Sequence, residues 1–390
     1  MPKYKIKISL FFLFLIWANS SYIKAQDQVS LFRYITTLDS GVPISLSPNG
    51  EWLLGFQGEH YEVTYIGADG IQLESIKIPL STIENININQ VHEFALWSPD
   101  GQYIFFINGN SDSQLWLWGV TQKSIIYQWT LSNTYIADVA WTANSQGLVT
   151  NQTNQLEIFH IDGTRTTLAQ NITLASVITD SVTTSPDGKY ILGIGTDNIF
   201  LWDAQIFELI DWDQQLIDCH GGCSTPFAWS PNSRYLYMST IGILDLETFQ
   251  FIPQDAILPE YWELLSESAF SPNSEWLLSM SNGLYNIQTQ QIITWNALPE
   301  FHNSEWRITG AIHWTPDSQY LIRGIGKIPQ TYQQSHIAEQ IQVWDWETQM
   351  VVESFQYDQI ISTQMSPTNR FIIYTQNNDY QIHIYDYIGG

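Results

Sequence analysis

The chain has 390 residues, 14% of them aromatic, and a formal net charge of −25 at pH 7. With 39 acidic residues against 14 Lys and Arg, its field repels phosphate backbones, which excludes nucleic acid as an expected partner. Richness in Trp, Tyr, Ile and Thr points to β-structure, because such side chains fit a pleated, half-buried surface.

The chain opens with Lys3, Lys5 and Lys7, followed by an apolar run from Ile8 to Ala18 and small residues at two cleavage points, after Ser20 or after Ala25. A basic start, a short apolar core and a small-residue exit predict a secretory signal peptide over residues 1–25. The run is about half the length a membrane-spanning helix needs. Its removal takes away four Lys and no acidic residue, which shifts the net charge from −25 to −29. No later segment is apolar over about eighteen residues, so residues 26–390 are expected to form one domain outside the cytoplasm, secreted or periplasmic, without a membrane span.

A first β-run, Ser30–Leu38, precedes a phrase that then recurs eight times: an apolar residue, Ser or Thr, usually Pro, then Asp or Asn, a short polar step and an apolar run. The copies begin LSPNGEWLL at Leu46, WSPDGQYIFF at Trp97, WTANSQGLV at Trp141 and TSPDGKYILGI at Thr184. They continue WSPNSRYLYM at Trp229, FSPNSEWLLSM at Phe270, WTPDSQYLIRG at Trp314 and MSPTNRFIIY at Met365. Their Ser/Thr positions are 47, 98, 142, 185, 230, 271, 315 and 366, spaced 41 to 51 residues apart. The third copy is the weakest, with Ala143 in place of Pro.

Each phrase predicts a tight turn between two strands. Pro presets the first turn dihedral, Asp or Asn bonds its own backbone, and Gly, Ser or Asn tolerates what remains. Further along each copy comes a strand ending in an aromatic, often followed by Asp: LWLWG at Leu115, IFLWDA at Ile199, IQVWDWET at Ile341, IHIYDY at Ile382. One more β-run follows in the first seven copies, such as SIIYQWTL and QIITW, which makes four strands per unit.

Four strands, a period near 44, an S-P-D-G turn and a Trp-Asp ending resemble the WD-repeat β-propeller family. The turn phrase is also similar to TolB-like periplasmic propellers. The resemblance covers residues 28–390 and implies an all-β fold: an eight-bladed propeller of four-stranded antiparallel blades, or seven blades with one copy built differently. The eighth copy has three strands of its own, and pairing with Ser30–Leu38 would complete it and close the ring, as the family does. No copy carries the family's Gly-His dipeptide, so blade cohesion is expected to rest on packing.

Departures from the period concentrate on one predicted face, in Asp213–Thr225, Gln254–Glu267, Asn296–Thr309 and Gly326–Glu339. Tyr261, Trp262, Phe301, His302, Trp306 and Arg307 stand in these inserts as candidate binding residues, since aromatics and Arg anchor interfaces. The same residues could instead pack on one another and pin the loops. Cys219 and Cys223, the only two cysteines, are expected to form a short-range disulfide in an exported protein. One His between two Cys falls short of a four-ligand zinc site, and Asn108–Ser113 lacks the Gly and Glu of a calcium loop. No nucleophile elbow, zinc-protease helix or phosphate loop is present, so no catalytic residue, metal or cofactor is assigned. The expected function is an exported, non-enzymatic binding scaffold recognising a protein or glycan through the insert-rich face. The alternative is a propeller-fold hydrolase or lyase acting at the central channel.

Overall fold

The computed structural model describes residues 30–39, 42–57, 60–67, 75–79, 95–108, 113–131, 136–152, 155–168, 181–194, 199–210, 227–238, 242–253, 270–279, 283–294, 306–327, 338–376 and 380–389. Every regular element among them is a β-strand, paired antiparallel.

Strand β1 (Phe32–Asp39) precedes the repeats. The first repeat holds β2 (Val42–Leu46), β3 (Trp52–Gln57), β4 (His60–Tyr65) and β5 (Ser75–Pro79). The second holds β6 (Ala95–Trp97), β7 (Tyr103–Asn108), β8 (Ser113–Gly119) and β9 (Ser124–Leu131). The third holds β10 (Ile136–Trp141), β11 (Gly147–Gln152), β12 (Gln155–His160) and β13 (Arg165–Leu168). The fourth holds β14 (Ser181–Thr184), β15 (Tyr190–Ile194) and β16 (Ile199–Asp203). The fifth holds β17 (Phe227–Trp229), β18 (Tyr235–Met238), β19 (Gly242–Asp245) and β20 (Gln250–Pro253). The sixth holds β21 (Trp276–Ser279), β22 (Gly283–Asn286) and β23 (Ile292–Thr294). The rest are β24 (Trp306–Trp314), β25 (Tyr320–Lys327), β26 (Ala338–Asp345), β27 (Met350–Met365), β28 (Arg370–Gln376) and β29 (Tyr380–Tyr387).

In each sheet the strands lie in chain order, except that one seven-stranded sheet runs β1-β29-β28-β27-β26-β25-β24. That sheet joins the last two repeats through the 16-residue β27, whose first part pairs β26 and whose last part pairs β28. Strand β1 pairs β29 from Phe32↔Tyr387 to Asp39↔Gln381. Two repeats show three strands where four are expected. In the fourth, the outer run makes a bridge from Leu209 to Trp202, and the described segment ends at residue 210. In the sixth, the inner strand is a bridge from Phe270 to Leu277 at the edge of a described segment.

Burial falls outward across a repeat. Strand β8 is buried on both faces, whereas β9, the outer strand, is mostly exposed or half-buried. Likewise β22 is wholly buried and β23 is not. Strands buried on both faces carry continuous apolar runs, as in LWLW. The described core falls into eight hydrophobic clusters, each between two repeats. Trp97, Trp116 and Tyr61 lie between the first and second, Trp141 and Phe159 between the second and third, and Trp202 with Ile158 between the third and fourth. Leu201 with Leu236, Tyr237 with Tyr285, Leu284 with Trp314, and Val343 with Phe371 mark the next four junctions. The eighth cluster sets Leu38, Ile372 and Ile384 against Leu53 and Ile66 of the first repeat. At that junction Gln364 accepts from the Leu46 amide (2.7 Å) and donates to the Ile44 carbonyl (3.1 Å), and Arg370 donates to the carbonyls of Ile66 and Gly67.

Candidate functional site

The recurring turn is built the same way in seven repeats. The Ser98 hydroxyl donates to Asp100 (2.6 Å) and accepts from the Tyr103 amide (2.9 Å), while Asp100 accepts from the Gln102 amide (3.0 Å). Ser47, Thr142, Ser185, Ser230, Ser271 and Thr315 repeat this with Asn49, Asn144, Asp187, Asn232, Asn273 and Asp317. The residue is buried in six of the seven, Thr142 being half-buried, so a side chain that cannot both donate and accept would leave the turn unsatisfied. The eighth turn is one residue shorter, and Ser366 accepts from the Arg370 amide.

The fourth turn position adopts positive φ in every repeat, from 59 at Ser145 to 77 at Asn369. Where it is Ser, its hydroxyl reaches the preceding repeat: Ser145, Ser233, Ser274 and Ser318 accept from the amides of Asp100, Asp187, Asn232 and Asn273, at 2.8–3.1 Å. Where it is Gly, the preceding turn stands close. A Cβ on Gly50 would stand 2.7 Å from Thr368 of the eighth repeat, and one on Gly101 3.1 Å from Asn49 of the first. These turns are thus bonded to, or in close approach with, the turn of the preceding repeat at this end of the molecule. The Asp after the strand aromatic has a local role there: Asp203 and Asp345 each accept two backbone amides of the turn that follows them.

Pro231, Pro272, Pro316 and Pro367, from four consecutive repeats, line one cavity of about 300 Å³ at this end. Phe270, Trp314 and Met365 add apolar wall, and His313 supplies a polar group. His313 Nε2 donates to the Thr363 carbonyl and meets the Thr363 hydroxyl, both at 3.0 Å. Burial pushes its pKa down to about 4, against the pull of the Thr363 bond. Asp138, on the inner strand of the third repeat, is pushed up by burial against bonds from Val182, Val139 and Ser181 that lower it. Among the described residues no group of three or more His, Cys, Asp or Glu is placed to hold a metal ion.

The opposite end carries the insert roots. Trp306 and Arg307 head β24 and pair with Lys327 and Gly326 at the end of β25. The segments 295–305 and 328–337 are thus rooted on adjacent strands. Pro253, which leads into 254–269, pairs Gly242 at the end of β19 away from the recurring turn. Below these roots Arg323 is fully buried, its guanidinium held by Gln342 at 2.9 and 3.2 Å and lying 5.2 Å from the Trp344 ring centre. Tyr261, Trp262, Phe301, His302, Cys219 and Cys223 lie outside the described residues, as does the signal segment, so the expected loop contacts and disulfide find no description there. His313 and Arg323 were not singled out from sequence. Each stands between apolar neighbours, Ile312 and Trp314 or Ile322 and Gly324, where a single polar residue has no spacing to mark it.

No protein-family profile and no curated protein sequence matches the chain. Among solved structures it is similar to the C-terminal WD40 domain of Sif2, with a TM-score of 0.56 and 14% identity over 93% of this chain and 100% of that one. That likeness, with antiparallel sheets repeating along the chain, establishes a WD40-type β-propeller fold. Among the described residues no helix is long and apolar enough to cross a membrane.

Proposed function

We propose that the chain is an exported, eight-bladed propeller, closed by its N-terminal strand, that serves as a non-enzymatic scaffold and recognises a protein through the insert-bearing face. Eight blades and closure are supported by the eight clusters, which take the repeats pairwise in order and return from the last to the first. The N-terminal signal pattern supports export. The observation that carries the recognition reading is the asymmetry between the ends. One is a uniform set of short, bonded turns, and the other roots the long inserts on neighbouring strands. Rigid scaffolds commonly present binding residues on such loops. The cavity walled by four prolines and three large apolar side chains suits contact better than acid–base chemistry.

On this reading Tyr261, Trp262, Phe301, His302, Trp306 and Arg307 are the anchors. Trp262→Ala and Trp306→Ala should each weaken partner capture by about 2 kcal/mol, roughly thirtyfold, with melting unchanged. Capture is measured with the partner recovered from the native secretome, and a glycan array run in parallel reads the other ligand class. Undiminished capture by both folded variants removes this face from the function. Lower melting with intact capture assigns the two indoles to loop packing.

A further inference from the structure

The repeats differ at one place in a way that bears on binding. Five positions after the turn Ser/Thr stand Trp52, Tyr103, Gly147, Tyr190, Tyr235, Trp276 and Tyr320, and Arg370 takes this place in the shorter eighth turn. Just before the Ser/Thr stand Leu46, Trp97, Trp141, Thr184, Trp229, Phe270, Trp314 and Met365. The first residue of one repeat meets the second of the next. Tyr103 stacks on Trp141 and Tyr190 on Trp229, both with ring centroids 6.4 Å apart. Trp52 with Trp97, Tyr235 with Phe270, Trp276 with Trp314, and Tyr320 with Met365 share clusters in the same manner. Seven of the eight junctions thus receive two large side chains. The junction of the third and fourth repeats receives Gly147 and Thr184, and neither belongs to its cluster.

A cavity of about 450 Å³ lies there, opening at the turn end. Gly147, Thr184, Ala143, Ile158, Ile191 and Phe207 line it. Ala143 is the residue that replaces the turn Pro in this one repeat. The volume is in the range of small-ligand pockets, roughly 300–1,000 Å³. Protein interiors fill such space when nothing else does, and six other junctions fill it with ring pairs or with a ring against Met. Polar groups are set around the opening. His160 lines the cavity, with Nε2 engaged by the Thr166 hydroxyl (2.9 Å) and Nδ1 3.5 Å from where a Cβ on Gly147 would stand. The Thr184 hydroxyl donates to the Trp141 carbonyl at 2.6 Å, which leaves its oxygen able to accept. Asp187 and Asn144 stand exposed at the rim.

We propose that this cleft binds a single aromatic ring bearing a hydrogen-bond donor, a phenol or an indole, in the place that a Tyr–Trp pair occupies between neighbouring blades elsewhere. The apolar walls take the ring faces, and His160 or Thr184 accepts from the ring's O–H or N–H. The site lies at the end opposite the inserts, so it stands or falls independently of the insert-face reading.

The test uses the full chain, labelled at Ile and Ala methyls, titrated with indole and p-cresol and separately with N-acetyltryptophanamide and N-acetyltyrosinamide. Saturable binding at about 0.1–1 mM is expected, which is ordinary for so small a ring. Nuclear Overhauser contacts should run from the ring to the methyls of Ile158, Ile191 and Ala143. Thr184→Trp, which restores the missing indole, should weaken binding at least about tenfold while leaving the circular dichroism spectrum intact. Binding by the free rings alone identifies a small-molecule ligand, and equal or tighter binding by the capped amino acids identifies a polypeptide side chain. No saturable binding of any probe, contacts to methyls elsewhere, or a folded Thr184→Trp that binds like the parent would each overturn the proposal. Should that variant fail to fold, the methyl contacts of the parent decide alone.

Discussion

At the scale of single residues, the turn hydroxyl explains why the phrase tolerates so little. Ser230 is fully buried, donates to Asn232 (2.7 Å) and accepts from the Tyr235 amide (2.8 Å). Ser230→Ala removes both bonds and leaves a buried amide without its acceptor, which costs about 1–3 kcal/mol. Ser230→Thr keeps the hydroxyl, as Thr142 and Thr315 do in their own turns, and should cost far less. Denaturant midpoints of the two variants measure the contrast, and equal losses would remove the hydroxyl from the explanation. His313 offers a pH-dependent case. Its folded-state pKa of about 4 lies below the ordinary 6.5, so burial favours the neutral ring. The stability tied to neutrality is whole above about pH 6.5 and is lost as pH falls toward 4. A shift of this size corresponds to about 3 kcal/mol when no water reaches the group. His313 is enclosed by protein but lines the open cavity and is only half-buried, which brings the expected contribution to about 1–2 kcal/mol. Unfolding of the parent and of His313→Gln at pH 7 and pH 4.5 should show the smaller acid loss in the variant. An identical loss in both would assign the acid sensitivity to carboxylates instead.

At the scale of elements, β1 carries more than its position before the repeats suggests. Phe32 is buried, with the rings of Tyr387, Phe371 and Phe355 at centroid distances of 5.3–5.7 Å. Arg33 pairs with Asp386, which also holds the buried Arg370, and the Leu31 amide donates to Glu353. Phe32→Ala should therefore cost about 3–5 kcal/mol. Deleting residues 30–38 should in addition expose the edge of β29 and promote aggregation. Melting and light scattering check both, and a deletion variant that melts like the parent would show that β1 closes nothing. The strands and turns were legible because their signals are local: a period-two or continuous apolar run bounded by Pro, Asx and Gly or Ser. FELIDW reads as a β-run, and of it only Phe207–Ile210 lie among the described residues, where Leu209 bridges Trp202.

At the scale of the whole molecule, stability is shared among junctions. Among the described residues each cluster is built by two repeats. A linear array of such units can lose its ends first, whereas a ring has no end from which to fray. A closed ring predicts one calorimetric transition whose enthalpy equals the van't Hoff value. Separate transitions for the two halves of the chain would contradict closure. The net charge of −25 works against compactness through self-repulsion, so the transition should also shift upward with added salt.

What the amino-acid order determined by itself is whatever depends on neighbours along the chain. Eight turns, the strands beside them, the all-β class and the repeat period all follow from short patterns such as Ser98-Pro-Asp-Gly. The pairing of Ser30–Leu38 with the last repeat was also within reach, because one unit lacked a strand and one β-run lacked a unit. Only the tertiary structure decided which residues meet across a junction. Gly147 and Thr184 are 37 positions apart, and each alone is an unremarkable small residue in a strand. Packing the third repeat against the fourth makes them one absence, and the weakest copy of the phrase becomes the place where a cavity opens. The burial of His313 and Arg323 has the same origin. Burial is a property of what surrounds a side chain, and those neighbours come from other strands and other repeats.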